Sequence, residues 1–299
     1  METKKNITKK EIYSWAFYDW ANSAFATTVM AGFFPIFFKS FWAGDLSGTE
    51  SSAWLGTANS IAGFAIVIVA PFLGALADIS HKKKFSLGFF AFIGIIATAS
   101  LFFIAQGEWF TAMIVYAIAC IGFSGGNIFY DSLIINVSSE ESRNRVSALG
   151  YSLGYLGGGF LFVLNVAMYL YPASFGLQSI TDAVLFSFLS VSIWWAIFSI
   201  PLFKFVKEDR FDKKSIQSSQ LFIESFRRVI TTFRDIRKYR KLSLFLIAYW
   251  LYIDGVDTVV RMALAFGSDI GLASSDMILA LIITQFVGFP ATIIYGFLG

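Results

Sequence analysis

One cysteine, Cys120, and one histidine, His81, are the only residues of their kinds in the chain. A lone thiol cannot close an intramolecular disulfide, so nothing implies an oxidising compartment. With a lone imidazole beside it there is no zinc set, and no metal or cofactor is expected. Charge is the larger shortage. Asp, Glu, Lys and Arg together make up 14% of the 299 residues, against about 25% in ordinary soluble domains. That excludes an ordinary soluble fold, and no nucleic-acid partner is expected. The N-terminus "METKKNITKK" precedes an apolar run with no small-residue cleavage site at its end. It therefore reads as a retained first span and not as a secretory signal.

What is present is apolar surface, 57% of residues. Runs of about 20 apolar residues mark transmembrane helices, and eight are expected, near 13–38, 54–78, 85–106, 109–136, 144–170, 180–205, 242–266 and 276–299. The fold class is thus all-α and polytopic. With the N-terminus in the cytoplasm, 21 of the 23 Lys and Arg fall on the cytoplasmic side, and only Lys39 and Arg261 do not. This asymmetry supports both the orientation and the span count. The polar stretch 207–241 separates six spans (1–206) from the last two (242–299). Within it Phe222, Phe226, Val229, Ile230, Phe233 and Ile236 recur at helical spacing, with Arg227, Arg228, Arg234 and Arg237 off that face. The pattern predicts either a basic amphipathic helix on an anionic inner leaflet or a solvated linker.

Polar residues inside the spans point to function, since a carboxylate at bilayer depth costs about 2.5–3.5 kcal/mol on insertion scales. In the first span Trp15, Asp19, Asn22 and Ser23 share W-x3-D-x2-[ND]-[ST] with Trp250, Asp254, Asp257 and Thr258 of the seventh, at an offset of 235. "GFAIVIVAPFLG" from Gly63 likewise matches "GFPATIIYGFLG" from Gly288 in spans two and eight. Parallel repeats joined by a long loop are an architecture of secondary transporters, with substrate sites at the interface between halves. The repeat predicts that Asp19 and Asp254 face each other there. Asp257 and Arg261, at i, i+4, can pair. The alternative use of these charges is an ion pair that locks the halves without touching substrate. In the fourth span Asn127 and Asp131 share a face, turned to the cavity with Tyr130, or else Asp131 is held at the cytoplasmic end by Arg143 or Arg145. In the fifth, Gly150, Gly154, Gly158 and Gly159 form a double G-x-x-x-G suited to close helix packing.

"WAFYDWANSAFATTVMAGFFPIFF", "PFLGALAD", "FYDSLI", "SALGYSLGYLGGG" and "YIDGVDTV" resemble the vacuolar-effluxer-like family of the major facilitator superfamily, which includes the autophagy-related vacuolar amino-acid effluxer of fungi. The resemblance spans essentially the whole chain. It implies a twelve-helix fold, here a six-helix N-terminal bundle plus the first two helices of the second, working by alternating access. It suggests a small-molecule substrate, with proton coupling as one option, and amino-acid export for the fungal branch. A bacterial cell-membrane protein, monomeric when full length, is expected. The superfamily's loop motif after span two is met by Gly74, Asp78, Lys82 and Lys83, which implies a cytoplasmic gate, whereas Ile79 and His81 depart from it. The glycines of span five are similar to the antiporter motif, with Tyr155 in place of its proline.

Two other classes are weighed. An intramembrane aspartyl protease would need a G-x-G-D helix, and here the aspartates sit in "YIDG". A transporter-like receptor or scaffold would bind without flux. The second repeat breaks off at Gly299, at the point where the first continues into Asp78 and a basic loop. The expectation is a chain truncated after its eighth span.

Overall fold

A computed structural model describes residues 7–80, 82–208, 226–227, 229–232 and 234–298, without the side chains of 76–80. The expectations placed on Asp78, His81, Phe222, Arg228 and Phe233 therefore lie outside what is described. The described residues contain helices and no strand.

Eight helices are long and apolar enough to cross a membrane. They are α1 (Lys9–Trp42), α2 (Gly48–Ser80), α3 (Lys83–Phe103), α4 (Trp109–Val137), α5 (Arg143–Leu170), α6 (Ile180–Phe205), α7 (Arg240–Asp269) and α8 (Ser274–Leu298). Each coincides with an expected span. Their ends follow local chemistry. A capping box starts α1: the Thr8 hydroxyl accepts from the Glu11 N–H, and the Glu11 carboxylate accepts from the Thr8 N–H at 3.0 Å. Two otherwise orphaned donors are satisfied there. Ser179 caps α6 by accepting from the Asp182 N–H. At the far end of α7, Gly271 takes φ 84°, and the following Leu272 N–H returns to the Gly267 carbonyl at 2.9 Å. Only glycine adopts that left-handed turn at no steric cost.

Apolar burial drives little helix association in a bilayer, where lipid tails are as apolar as leucine. Close packing of small residues takes its place. α3 and α4 approach so closely at Gly94 and Gly122 that a Cβ on Gly122 would fall on the Gly94 backbone and 2.9 Å from the Phe90 carbonyl oxygen. Around this contact an aromatic core forms. Trp195 and Phe123 pack on Phe25, and Phe34 stacks on Tyr116 with centroids 3.8 Å apart.

α1 is the centre of the bundle and the most enclosed of the eight. Its first half, Lys9–Ala24, is α-helical and packs on α5 and α6. Phe25–Phe33 and Phe38–Trp42 widen into π-helix, a geometry found frequently at functional sites. α8 lies along α5, and α7 rests on α2 and on Phe25–Phe37 of α1.

Candidate functional site

The polar face of α1 is set by its spacing. Trp15, Tyr18, Asp19, Asn22 and Ser23 recur at three- and four-residue intervals and so fall on one side of the helix. α4 supplies the opposite wall. The Trp15 indole N–H donates to the Tyr130 carbonyl at 3.1 Å. Its ring stacks on Tyr130 with centroids 4.5 Å apart, and Tyr18 packs on the same ring at 5.0 Å. One turn further, the Asn22 amide donates to the Asn127 side-chain oxygen at 2.6 Å. Ser23 donates to Asp19 within the helix at 3.3 Å.

α5 closes the third side with glycines, because the α1 side chains need the room. A Cβ on Gly150 would sit 2.9 Å from both Trp15 and the Tyr130 hydroxyl. On Gly154 it would lie 2.6 Å from Ser23 Oγ and 3.2 Å from the Asp19 carboxyl, and on Gly158 2.7 Å from Thr27 Oγ1. Gly159 points elsewhere, to Gln285 of α8 at 2.8 Å. On the same seam, a Cβ on Gly288 of α8 would meet the Tyr155 ring at 2.6 Å, and one on Gly296 would meet Ala148. Small residues thus serve two interfaces of α5, one within the first six helices and one with α8.

Asp131 follows Tyr130 and is exposed. The alternative that Arg143 or Arg145 holds it is corrected: neither pairs with it among the described residues, and Arg145 lies over the Phe297 ring of α8. Lys83, a member of the loop motif, is buried and donates to the Ser132 carbonyl at 2.9 Å, tying α3 to the end of α4. Lys82 is exposed, and a Cβ on Gly74 would meet nothing within 4 Å.

On α7 the Arg261 guanidinium lies 3.6 Å from the Asp257 carboxylate, with the arginine 16% and the aspartate 62% exposed. Arg261 is also within electrostatic reach of Tyr116 and Cys120. Asp254 and Thr258 are exposed, and among the described residues neither has a hydrogen-bond partner. The structure therefore brings Asp19, Asn22, Ser23 and Asn127 together, with Asp131 beside them, and leaves Asp254 separate, with no bond to Asp19.

Two polar groupings escaped the sequence reading. Tyr116 donates to Asn59 at 3.1 Å, and Asn59 in turn donates to the Met262 sulfur of α7 at 3.6 Å. The signal was available, since Asn59 is a polar residue within an apolar span. The second lies at the far ends of α1 and α7. Lys39 pairs with Asp269, and the Ser52 hydroxyl donates to the other Asp269 oxygen at 2.7 Å. Beside that end, a cavity of about 340 Å³ opens between α1, α5, α6 and α8, lined by Phe33, Phe37, Tyr169 and Ile278 among others. It is separate from the polar face.

The comparisons with known proteins agree with this architecture. The profile of the family described as "Vacuole effluxer Atg22 like" matches residues 7–53, 49–139 and 135–299. An uncharacterized MFS-type transporter, YxiO of Bacillus subtilis, is 40% identical over 294 residues, which cover 98% of this chain and 68% of that protein. Autophagy-related protein 22 of Yarrowia lipolytica is 23% identical over 140 residues, 41% of this chain and 23% of the relative. The crystal structure of a D-xylose-proton symporter superposes with TM-score 0.55 at 15% identity, covering 93% of this chain and 65% of the symporter, a likeness of fold. With a profile matched along nearly its whole length and a bacterial relative at 40% identity, this multi-pass chain belongs to the vacuole effluxer Atg22-like family of MFS-type membrane transporters.

Proposed function

We propose that the protein is a secondary active transporter that moves a small solute past the polar face of α1 by rocking its two repeats against each other. The observation that carries this reading is an asymmetry between the two ends. At one end the repeats are tied by Lys39, Ser52 and Asp269, and Leu264, Ala265 and Gly267 of α7 are buried. At the other end Asp131 of α4 and Tyr151 of α5 stand exposed. An arrangement closed at one end and open at the other is one of the two states that alternating access requires.

The positive-inside tally supports an open end at the cytoplasm and an ion pair outside, and our reading is of a cell-membrane protein. Asp19 sits where a coupling proton or the solute itself would be held, beside Asn22, Ser23 and Asn127. Amino-acid export, suggested by the fungal branch, and proton coupling, supported by the symporter's name, are the finer options. Phe226 of the linker stacks on Phe72 of α2 at 5.5 Å. That contact supports a basic helix at the open end, where Arg227, Arg234 and Arg237 would meet anionic headgroups.

Counterflow in proteoliposomes tests the proposal. Purified protein is expected to exchange labelled solute across the membrane, and Asp19→Asn to abolish the exchange while inserting normally. Undiminished exchange by Asp19→Asn would remove that residue from the pathway.

A further inference from the structure

The cavity of about 340 Å³ at the tied end is sorted by polarity. Its floor is apolar and buried, made of Phe33, Phe37, Val184 and Ile278. Its rim carries Ser40, Gln106, Thr181 and Ser274, all exposed or half-buried. These four come from helix ends or a loop, so the rim lies at the level of the membrane surface and the floor in hydrocarbon. Among the described residues no Asp, Glu, Lys or Arg lines the cavity. The side chains of Gln106, Thr181 and Ser274 have no hydrogen-bond partner among those residues, so the rim has donors and acceptors to offer.

The walls keep this space open. Phe33 stacks on Tyr169 with centroids 5.8 Å apart, and Phe37 on Phe41 at 4.6 Å, so that ring braces ring. A lining that cannot close on a void forfeits its dispersion contacts on that side. Ile180, 51% exposed, stands at the mouth, where chains of the bilayer pass. An apolar cavity of about 150 Å³ holds benzene, so this one has room for about twice as many heavy atoms. Its walls belong to both repeats: Ser274 and Ile278 come from α8, the others from the first six spans and their loops.

We propose that this cavity binds a neutral single-chain amphiphile, a long-chain alcohol in its chemistry, drawn from the adjoining leaflet. The chain lies against the rings and the hydroxyl bonds at the rim. An ion finds no counter-charge in the lining, and a plain hydrocarbon leaves the rim unused. Because α8 supplies one wall, the occupant joins the two repeats at their closed end. Where that end opens in a transport cycle, the occupant is a brake. Binding itself does not rest on the transport reading.

Photolabelling of the purified protein in nanodiscs tests the site. Decanol carrying a mid-chain diazirine should label Phe33, Tyr169 or Ile278, as located by mass spectrometry. At equal membrane concentration, unlabelled 1-decanol should compete about fivefold better than decane, the worth of one hydrogen bond. It should compete at least about tenfold better than decyl sulfate, whose fixed charge the lining does not answer. Ile278→Trp should fill the floor and abolish the label there; if that variant does not fold, the competition series on the unaltered protein decides. Labelling only elsewhere, equal competition by the three compounds, or a preference for decyl sulfate would overturn the site. Asp269→Asn, which releases the tie, should cut labelling several-fold, and unchanged labelling would overturn the bridging of the repeats. Selective labelling of a protein without counterflow would refute transport and leave the site intact.

Discussion

At the residue scale, the exposures of Asp257 and Arg261 decide which member of the pair depends on the other. The sequence suggests a carboxylate left uncompensated if the arginine is removed. The structure reverses the emphasis, because the arginine is mostly buried and the aspartate mostly exposed. Losing Asp257 leaves a guanidinium enclosed near Tyr116 without a counter-charge, whereas losing Arg261 leaves a carboxylate on the less enclosed side of the pair. Asp257→Asn should therefore destabilise the protein more than Arg261→Gln, by about 1 kcal/mol or more, and the double variant should recover part of the loss. Thermal unfolding in detergent measures all three, and equal effects would mean that the pair is not coupled. The residue scale was only partly legible. Asn22 and Asn127 each stood out as polar residues in apolar spans, but their hydrogen bond joins positions 105 apart in sequence. No periodicity reports such a contact. Lys39 was visible as an exception to the charge rule. Its partner was not, because an aspartate in a polar loop such as "GSDIG" looks like any solvated charge.

At the element scale, α5 is the helix on which the others depend. Its glycines were legible as a packing stripe, because G-x-x-x-G repeats along one face. That the stripe serves two neighbours was not, since a wide band of small residues gives no sign of where one interface ends and the next begins. Gly154→Leu would drive a side chain into Ser23 and Asp19, and overpacking of this kind costs about 1–3 kcal/mol. It should also displace the polar face, so any bound solute should be lost before the fold is. Gly159→Leu would press on Gln285 and should loosen α8 while sparing the α1 contacts. Limited proteolysis of the 207–241 linker and of the α7–α8 loop would separate the two effects, with the Gly159 variant alone accelerating cleavage near α8. The helix boundaries themselves were readable to within a few residues, because apolar length and flanking charge are properties of each segment alone.

At the scale of the whole molecule, the tie between Lys39, Ser52 and Asp269 governs the balance between the two ends. Asp269 is 38% exposed although the Lys39 side chain is only 11% exposed, so solvent reaches the tie from one side and weakens it as a fixed bond. On the proposed transport mechanism, that suits a contact which would break once in every cycle. Asp269→Asn should shift the population toward opening at that end, so a thiol introduced at Ser47 should be labelled faster. The native Cys120 is 1% exposed and should stay silent. Ser52→Cys with Asp269→Cys, oxidised, should stop transport, and reduction should restore it. Transport that persists through the cross-link would show that this end does not open. The count of eight spans was the most legible part of the architecture, because apolar runs of membrane length stand out in the sequence itself.

The seam between α5 and α8 has a kinetic consequence. Where glycine meets a flat ring or an amide stem, as Gly288 meets Tyr155 and Gly159 meets Gln285, one partner has no rotamers to exchange. Sliding across such a surface needs no concerted repacking of interlocked side chains, which in a close-packed core makes motion stepwise and slow. On the proposed transport mechanism, the seam would act as a smooth bearing, and the pace of the cycle would then belong to the polar contacts at its ends. Shaving Tyr155 to Phe should hardly change the turnover rate, whereas neutralising Asp269 should change it several-fold.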